Sequence, residues 1–277
     1  MTKICLTIAG VDPSGGAGII ADVKTFSAFG CYATAAIASL TFQNTQGVFG
    51  VENQTAEIVR RQVEPILADF EISALKTGML PTGGIIEEVA RIVKEYNLKN
   101  FVVDPVVRST SGFDLIDDDA LKILIEKLFP LATVITPNIP EAERIAQMKI
   151  ETFADIEKAA GKMQNFGAKN VLIKGGHLLI PDVGFGIAEV GKAESRKAKD
   201  FLFTGDDLHV FESEFIETTA THGTGCTLAA AIAANLALGK NLVEAVEIAK
   251  KFVTQAIRTA PHIGKGNSPI NHLVKEF

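Results

Sequence analysis

"ICLTIAGVDPSGGAGIIADVKTFSAFG" (residues 4–30) carries two periodicities joined by a glycine-rich turn. The run 4–10 is short, apolar and closed by Gly10, the pattern of a buried strand. In 16–30, Ile19, Val23 and Phe26 recur at helical spacing and share one face. A buried strand running straight into a helix is half of a β–α–β unit, and such units build parallel sheets. The alternation continues outward. Strands are predicted over 32–40, 74–79, 100–107, 132–138 and 170–176. Helices are predicted over 55–70, 83–96, 117–129 and 241–260, in "EAERIAQM", in "TFADIEKAAGKMQNFG" and in the alanine-rich stretch after Gly225. At 199–213 the rhythm breaks: two short runs flank Thr204-Gly205-Asp206-Asp207 and predict a hairpin. The reading is α/β, a mostly parallel sheet covered on both faces, with ligands bound beyond the carboxyl ends of its strands.

At 277 residues and 47% hydrophobic content the chain can bury a full core and is not disordered. A net charge of -6, with no Lys/Arg block, argues against a nucleic-acid partner. Cys5, Cys31 and Cys226 are too few and too scattered for a disulfide framework. With no signal peptide they point to a reducing cytoplasm. The longest apolar run falls short of the roughly 20 residues that cross a bilayer, so no membrane partner is expected. The chain reads as a single domain, 1–277, in which the polar segment 177–199 is a mobile surface loop.

Chemistry-bearing residues collect at the predicted strand ends. In "THGTGCTLAAAIAANLALG" (221–239) the helix starts just after Gly223, Thr224 and Gly225. Its first N–H groups and its dipole make an anion site in which Cys226 stands. Positive potential there favours thiolate; the plainer reading is a small buried filler. Asp12, in "GVDPSGGAG", either belongs to a glycine turn or accepts a hydrogen bond from a ligand. The motif is neither the phosphate loop nor the dinucleotide fingerprint. Asp104, Asn138 and Glu141 offer oxygens that suit a hydrated Mg²⁺, or else they cap helices. Lys174, ahead of two glycines, either snorkels to solvent or gives a point charge to phosphates. Gln43, past the strand 32–40, could pair with the edge of a heteroaromatic ring. The five histidines show no metal spacing, and His222 reads as a turn residue rather than a base.

Taken in order, "TIAGVDPSGGAGIIADVKTF", "QNTQGV", "KTGML", "VVDPVV", "VITPN", "VLIKGGH", "THGTGCTLAAAIAA" and "PHIGKGNSPINH" resemble the ribokinase-like superfamily, and within it the bacterial hydroxymethylpyrimidine and phosphomethylpyrimidine kinases of thiamine biosynthesis. The resemblance covers essentially the whole chain. It implies a three-layer α/β/α sandwich with a small hairpin, ATP and Mg²⁺ as cofactors, and a homodimer. It implies Cys226 as proton acceptor, where the wider superfamily carries aspartate, with the amides of Gly223 to Cys226 holding the transferring phosphoryl group. Asn138 and Glu141 become the N-x-x-E element near Mg²⁺, with Asn138 also at ATP, and Lys174 the lysine on ATP phosphates. Gln43 becomes the reader of an aminopyrimidine, with Gly10, Asp12, Met79 and Val107 lining its pocket. Ala220 and Arg108 depart from the usual pattern, and 177–199 is longer and more polar than in relatives. Arg108 is expected to pair with the phosphate of a monophosphate substrate. A pyridoxal kinase is the rival, disfavoured by Gln43; a sensor that binds without catalysis is a third reading.

Overall fold

The computed structural model describes residues 2–107, 115–175 and 197–274. Along the chain these form β1 (Ile4–Val11), α1 (Gly18–Ala28), β2 (Tyr32–Asn44), β3 (Gly47–Asn53), α2 (Ala56–Asp69), β4 (Ala74–Thr77), α3 (Gly83–Glu95), β5 (Phe101–Val103), α4 (Asp118–Leu128), β6 (Val134–Ile135), α5 (Ile139–Ala146), α6 (Phe153–Asn165), β7 (Asn170–Lys174), β8 (Lys197–Thr204), β9 (Asp207–Glu214), α7 (Thr224–Ala237) and α8 (Leu242–Arg258). The expectations for Arg108 and for most of 177–199 lie outside the described residues. Lys197 to Lys199, placed in that loop by sequence, begin β8.

The strands form one sheet in the order β3-β2-β1-β4-β5-β6-β7-β8-β9. From β2 to β7 every pairing is parallel, while β3 at one edge and β8 and β9 at the other are antiparallel. The hairpin expected over 199–213 is β8–β9. The hairpin β2–β3 was not expected: β2 runs on to Asn44 and pairs Gln43 with Val48, so Gln43 lies within a strand and not beyond it.

Side chains alternate between the two faces with period two. Leu6, Ile8, Leu75, Phe101, Val103, Ile135, Val171 and Ile173 pack in one cluster with residues of α2 to α6. Cys5, Ala74, Val102, Val134 and Leu172 pack in the other with Phe26 of α1 and with α7 and α8. The result is three layers, helix on sheet on helix. By the same parity Thr7, Lys76, Asp104, Thr136 and Lys174 fall on the α7 side, toward the carboxyl ends of their strands, and Asp200 of the antiparallel β8 pairs with Lys174. Helix α7 is buried from Thr227 to Ala237, and its small side chains let it lie close against the sheet. Among the described residues no helix is long and apolar enough to cross a membrane.

Candidate active site

Two glycine turns meet above the sheet. Gly223 precedes α7 with φ +85, and a Cβ there would lie 1.7 Å from the Gly16 carbonyl oxygen, so only glycine fits. Gly16 in turn leaves room for the His222 ring, which a Cβ would meet at 2.4 Å. Helix α7 therefore starts with its backbone pressed on the β1–α1 turn and with no side-chain cap. Among the described residues the Gly225 and Cys226 N–H groups have no hydrogen-bond partner. These unpaired donors, at the positive end of a 14-residue helix, open into a cavity of about 360 Å³.

The electrostatics around that opening are tightly paired. Lys174 Nζ donates to Asp104 Oδ1 at 2.8 Å, and the Thr136 hydroxyl donates to the same oxygen at 3.0 Å. A Cβ on Gly225 would stand 3.2 Å from Lys174 Nζ, which puts the ammonium beside the helix end. Burial opposes charge on Asp104, but Lys174, Lys76 and the two hydrogen bonds outweigh it and hold its pKa below the ordinary value. Burial pushes Glu141 up to about 7, against the attraction of Lys174 and with the repulsion of Asp104. Burial likewise raises the Cys226 thiol to about 11, although Lys76 and the Gly18 N–H pull the other way. Against the expectation that the helix end favours thiolate, lost hydration at the sulfur and the charges of Asp22 and Asp104 hold the thiol pKa up.

The three oxygen-bearing residues expected around a metal all line the cavity, but the Asn138 and Glu141 side chains are engaged in a helix cap. Asn138 caps α5: its Oδ1 accepts from Glu141 N–H at 2.9 Å, and Glu141 Oε2 accepts from Asn138 N–H at 2.8 Å. The backbone N–H of Val107 reaches Glu141 Oε1 at 3.4 Å. Asp104 keeps Oδ2 without a protein donor among the described residues, and there no cluster of three or more His, Cys, Asp or Glu side chains forms a metal cage.

On the other side of the cavity, Gly10 and Met79 are in contact: a Cβ on Gly10 would stand 3.1 Å from Met79 Sδ. Gln43 and Thr41 share the wall. Val107 does not line it. Its side chain packs in the α2–α6 core, and Val106 faces the cavity instead. Asp12 faces the cavity but its oxygens are engaged. Oδ1 accepts from the Ser14 N–H and hydroxyl at 2.9 and 2.7 Å, and Oδ2 from Gly16 N–H, Ala17 N–H and His222 Nε2 at 3.2, 2.9 and 2.7 Å. Five donors occupy a carboxylate's roughly four lone-pair sites, so Asp12 holds the glycine turn and has no acceptor to spare for a ligand. His222 is more than a turn residue, since it pins that turn to the start of α7.

Burial alone would raise the Asp12 pKa, but the hydrogen bonds from His222 and Ser14 prevail and bring it down to about 2. A lowered carboxylate stabilises the fold above its unfolded pKa and loses that contribution as pH falls. Asp12 is thus expected to contribute about 2 kcal/mol at neutral pH, lost between roughly pH 4 and 2. Urea melts of Asp12→Asn should show a correspondingly flatter decline of stability across that interval than the unsubstituted protein.

Several site residues were missed in the sequence. Lys76 Nζ donates to both Asp22 oxygens at 3.0 and 2.9 Å, and the Thr7 hydroxyl adds a bond at 2.7 Å; lysine and aspartate are fully buried. Lys76 forms part of the cavity floor. A lysine inside a four-residue apolar strand was the available signal, since an unpaired lysine is almost never fully buried. Asp200 accepts from Lys250 at 2.7 Å and from Gly175 N–H at 3.1 Å. The C-terminal segment joins in: the Ser268 carbonyl accepts from His222 N–H, and Thr45 in the β2–β3 turn accepts from the N–H groups of Lys265, Gly266 and Asn267.

Known proteins resemble the chain over nearly its whole length. A family model described as phosphomethylpyrimidine kinase matches residues 12–271. A hydroxymethylpyrimidine/phosphomethylpyrimidine kinase of Staphylococcus aureus (strain MSSA476) is 41% identical over 271 residues, 98% of this chain and 93% of that protein. The thiamine biosynthesis bifunctional protein ThiED of Geobacter sulfurreducens is 42% identical over 97% of this chain, which spans 52% of that longer protein. Among solved structures, an ADP complex of Bacillus subtilis pyridoxal kinase superposes with a TM-score of 0.85 at 38% identity, covering 98% of both chains. A phosphomethylpyrimidine kinase from Clostridium difficile 630 gives 0.76 at 41% identity, covering 92% of this chain and 100% of that one. The fold is that of the ribokinase-like kinases, enzymes that move a phosphoryl group onto a small molecule. Within that class, this chain belongs to the phosphomethylpyrimidine kinase family.

Proposed function

We propose that the protein transfers the γ-phosphoryl group of ATP to 4-amino-5-hydroxymethyl-2-methylpyrimidine and then to its monophosphate, as a step of thiamine biosynthesis. The observation that carries this reading is a Gln43 amide on the cavity wall, across from the unpaired N–H groups of Gly225 and Cys226. A glutamine offers a donor and an acceptor side by side, the complement of an amino group next to a ring nitrogen. Phosphoryl transfer asks mainly for positioning and for stabilisation of charge on the transferring oxygens. The Gly225 and Cys226 amides supply the second, and Lys174 beside them adds a point charge. Cys226 receives the proton of the substrate hydroxyl when its sulfur is a thiolate.

Asp104, with a free Oδ2, and Glu141 fit a hydrated Mg²⁺ held through water, because Asn138 spends its side chain on the helix cap. When bound, that ion would neutralise charge on the ATP phosphates. The nucleotide base is assigned to the far wall, where Phe215, Ile216, Val253 and Ile257 are apolar. The solved complexes of Staphylococcus aureus pyridoxal kinase with ADP and AMP-PCP support nucleotide use by this fold. The homodimer and the cytoplasmic location are further parts of the proposal, and sedimentation analysis tests the first.

The deciding experiment offers hydroxymethylpyrimidine, its monophosphate and pyridoxal separately with Mg-ATP and reads products by mass spectrometry. The expected result is pyrimidine diphosphate from the first two and little pyridoxal phosphate. Strong turnover of pyridoxal with inert pyrimidines would overturn the substrate, and no product from any of the three would overturn the kinase reading.

A further inference from the structure

The protons around the Gln43 amide can be counted. Thr41 Oγ1 lies 2.8 Å from the Val11 carbonyl oxygen and 3.1 Å from Gln43 Oε1. A hydroxyl has one proton, so it donates to one of these and not to both. The carbonyl is the nearer. On the other side Gln43 Nε2 stands 3.5 Å from His222 Nε2, and that ring nitrogen is 2.7 Å from Asp12 Oδ2. Asp12 is ionised, because the N–H groups of Ser14, Gly16 and Ala17 and the Ser14 hydroxyl all point at it. A carboxylate has no proton to give, so His222 Nε2 carries the hydrogen and donates it to Asp12. No lone pair is left on that nitrogen for the Gln43 amine.

With its amide as placed, Gln43 therefore meets like against like at both ends: an NH₂ faces an N–H, and a carbonyl faces a hydroxyl oxygen whose proton is engaged elsewhere. A half-turn of the amide gives the Thr41 oxygen a donor, and it turns a carbonyl in place of an NH₂ toward the ring N–H that His222 spends on Asp12. We infer that Thr41 and His222 are positioning residues that lock the Gln43 amide with its carbonyl toward His222 and its NH₂ toward the Thr41 oxygen. The lock sets the order of donor and acceptor that Gln43 presents to the cavity. One amide hydrogen and one carbonyl lone pair stay free for a ligand. The inference rests on the proposed function and deepens it. The amino group of the pyrimidine pairs with the carbonyl on the His222 side, and its ring nitrogen pairs with the NH₂ on the Thr41 side. A ring without the amino group keeps only the ring-nitrogen bond and leaves the carbonyl unpaired, so it gains less from the lock.

The test compares steady-state kinetics of Thr41→Val and Thr41→Ser on two alcohols: hydroxymethylpyrimidine and the same molecule with hydrogen in place of the amino group. For Thr41→Val the expected result is a rise of about tenfold in KM for the amino compound. Its kcat should stay within about twofold, and the KM for the desamino compound should rise by no more than about threefold. Thr41→Ser, which keeps the hydroxyl, should restore the KM. Equal rises for both compounds, or no rescue by serine, would show that Thr41 only supports the fold and would overturn the inference. Should Thr41→Val fail to fold, Thr41→Ala is read instead, by calorimetric binding of the two compounds, and the same ratio decides. Unsubstituted protein inert toward the amino compound would overturn the proposed function and this inference together. Active protein with a uniform loss in the variants would overturn the inference alone.

Discussion

Cys226→Ala should lower kcat by about 10² to 10⁴-fold, the range for removal of a positioned proton acceptor. KM for the alcohol should change little, because the turn that holds the phosphoryl group is backbone and survives the substitution. The pH dependence is the sharper readout. With the thiol raised to about 11 by burial, most of the protein at neutral pH lacks the thiolate. The sign follows directly: raising pH populates the active base, so kcat/KM should climb close to tenfold per pH unit from about pH 7 to 9. Cys226→Ala should abolish that climb. A flat profile in the unsubstituted protein, or a variant that keeps most of its kcat, would make Cys226 a space-filling residue at the helix end. Cys226→Asp, carrying a base of lower pKa, should move the optimum to lower pH.

The largest effect on stability is expected from Lys76→Met. Burial works to remove the Lys76 proton, but the facing Asp22 carboxylate, aided by the charge of Asp104, outweighs it and raises the lysine pKa. Removing the lysine leaves Asp22 fully buried with Thr7 as its remaining hydrogen-bond donor among the described residues. Breaking a buried pair from one side costs about 3–5 kcal/mol. Removing both partners with side chains of similar volume is often neutral. Urea denaturation should therefore show a large loss for Lys76→Met and recovery in Lys76→Met/Asp22→Leu. A single variant as stable as the parent would mean that the pair contributes nothing net.

The alternation of strand and helix was readable because buried parallel strands are continuous apolar runs and their covering helices show a stripe. Helix α3, with Ile85, Ile86, Val89, Ile92 and Val93 all buried, follows its pattern closely. Strand β3 went unread. It is an edge strand, half-buried at best, and "GVFGVEN" has too little apolar alternation to announce itself. The candidate site was legible as a set of strand ends and glycine turns, but side-chain roles were not. Val107 and Val106 differ by one position and face opposite layers, a distinction that sequence flanks do not resolve. Asp12 looked available to a ligand because its five donors come from the folded turn and from a histidine 210 positions away. Lys76 was passed over because its partner sits on α1, 54 positions earlier.

The polar residues toward the carboxyl ends of β1, β4, β5 and β7, with Asp200 of the antiparallel β8 beside Lys174, share a face only because each strand keeps its parity. Inserting one residue ahead of Lys76 within β4 would turn the ammonium into the α2–α6 core and point Leu75 at the cavity. Two inserted residues would restore the facing. Length changes inside these strands are therefore filtered by whether they are odd or even. A lineage of such proteins is free to lengthen its loops and outer helices by any number, and to alter the strands beneath the site only in pairs.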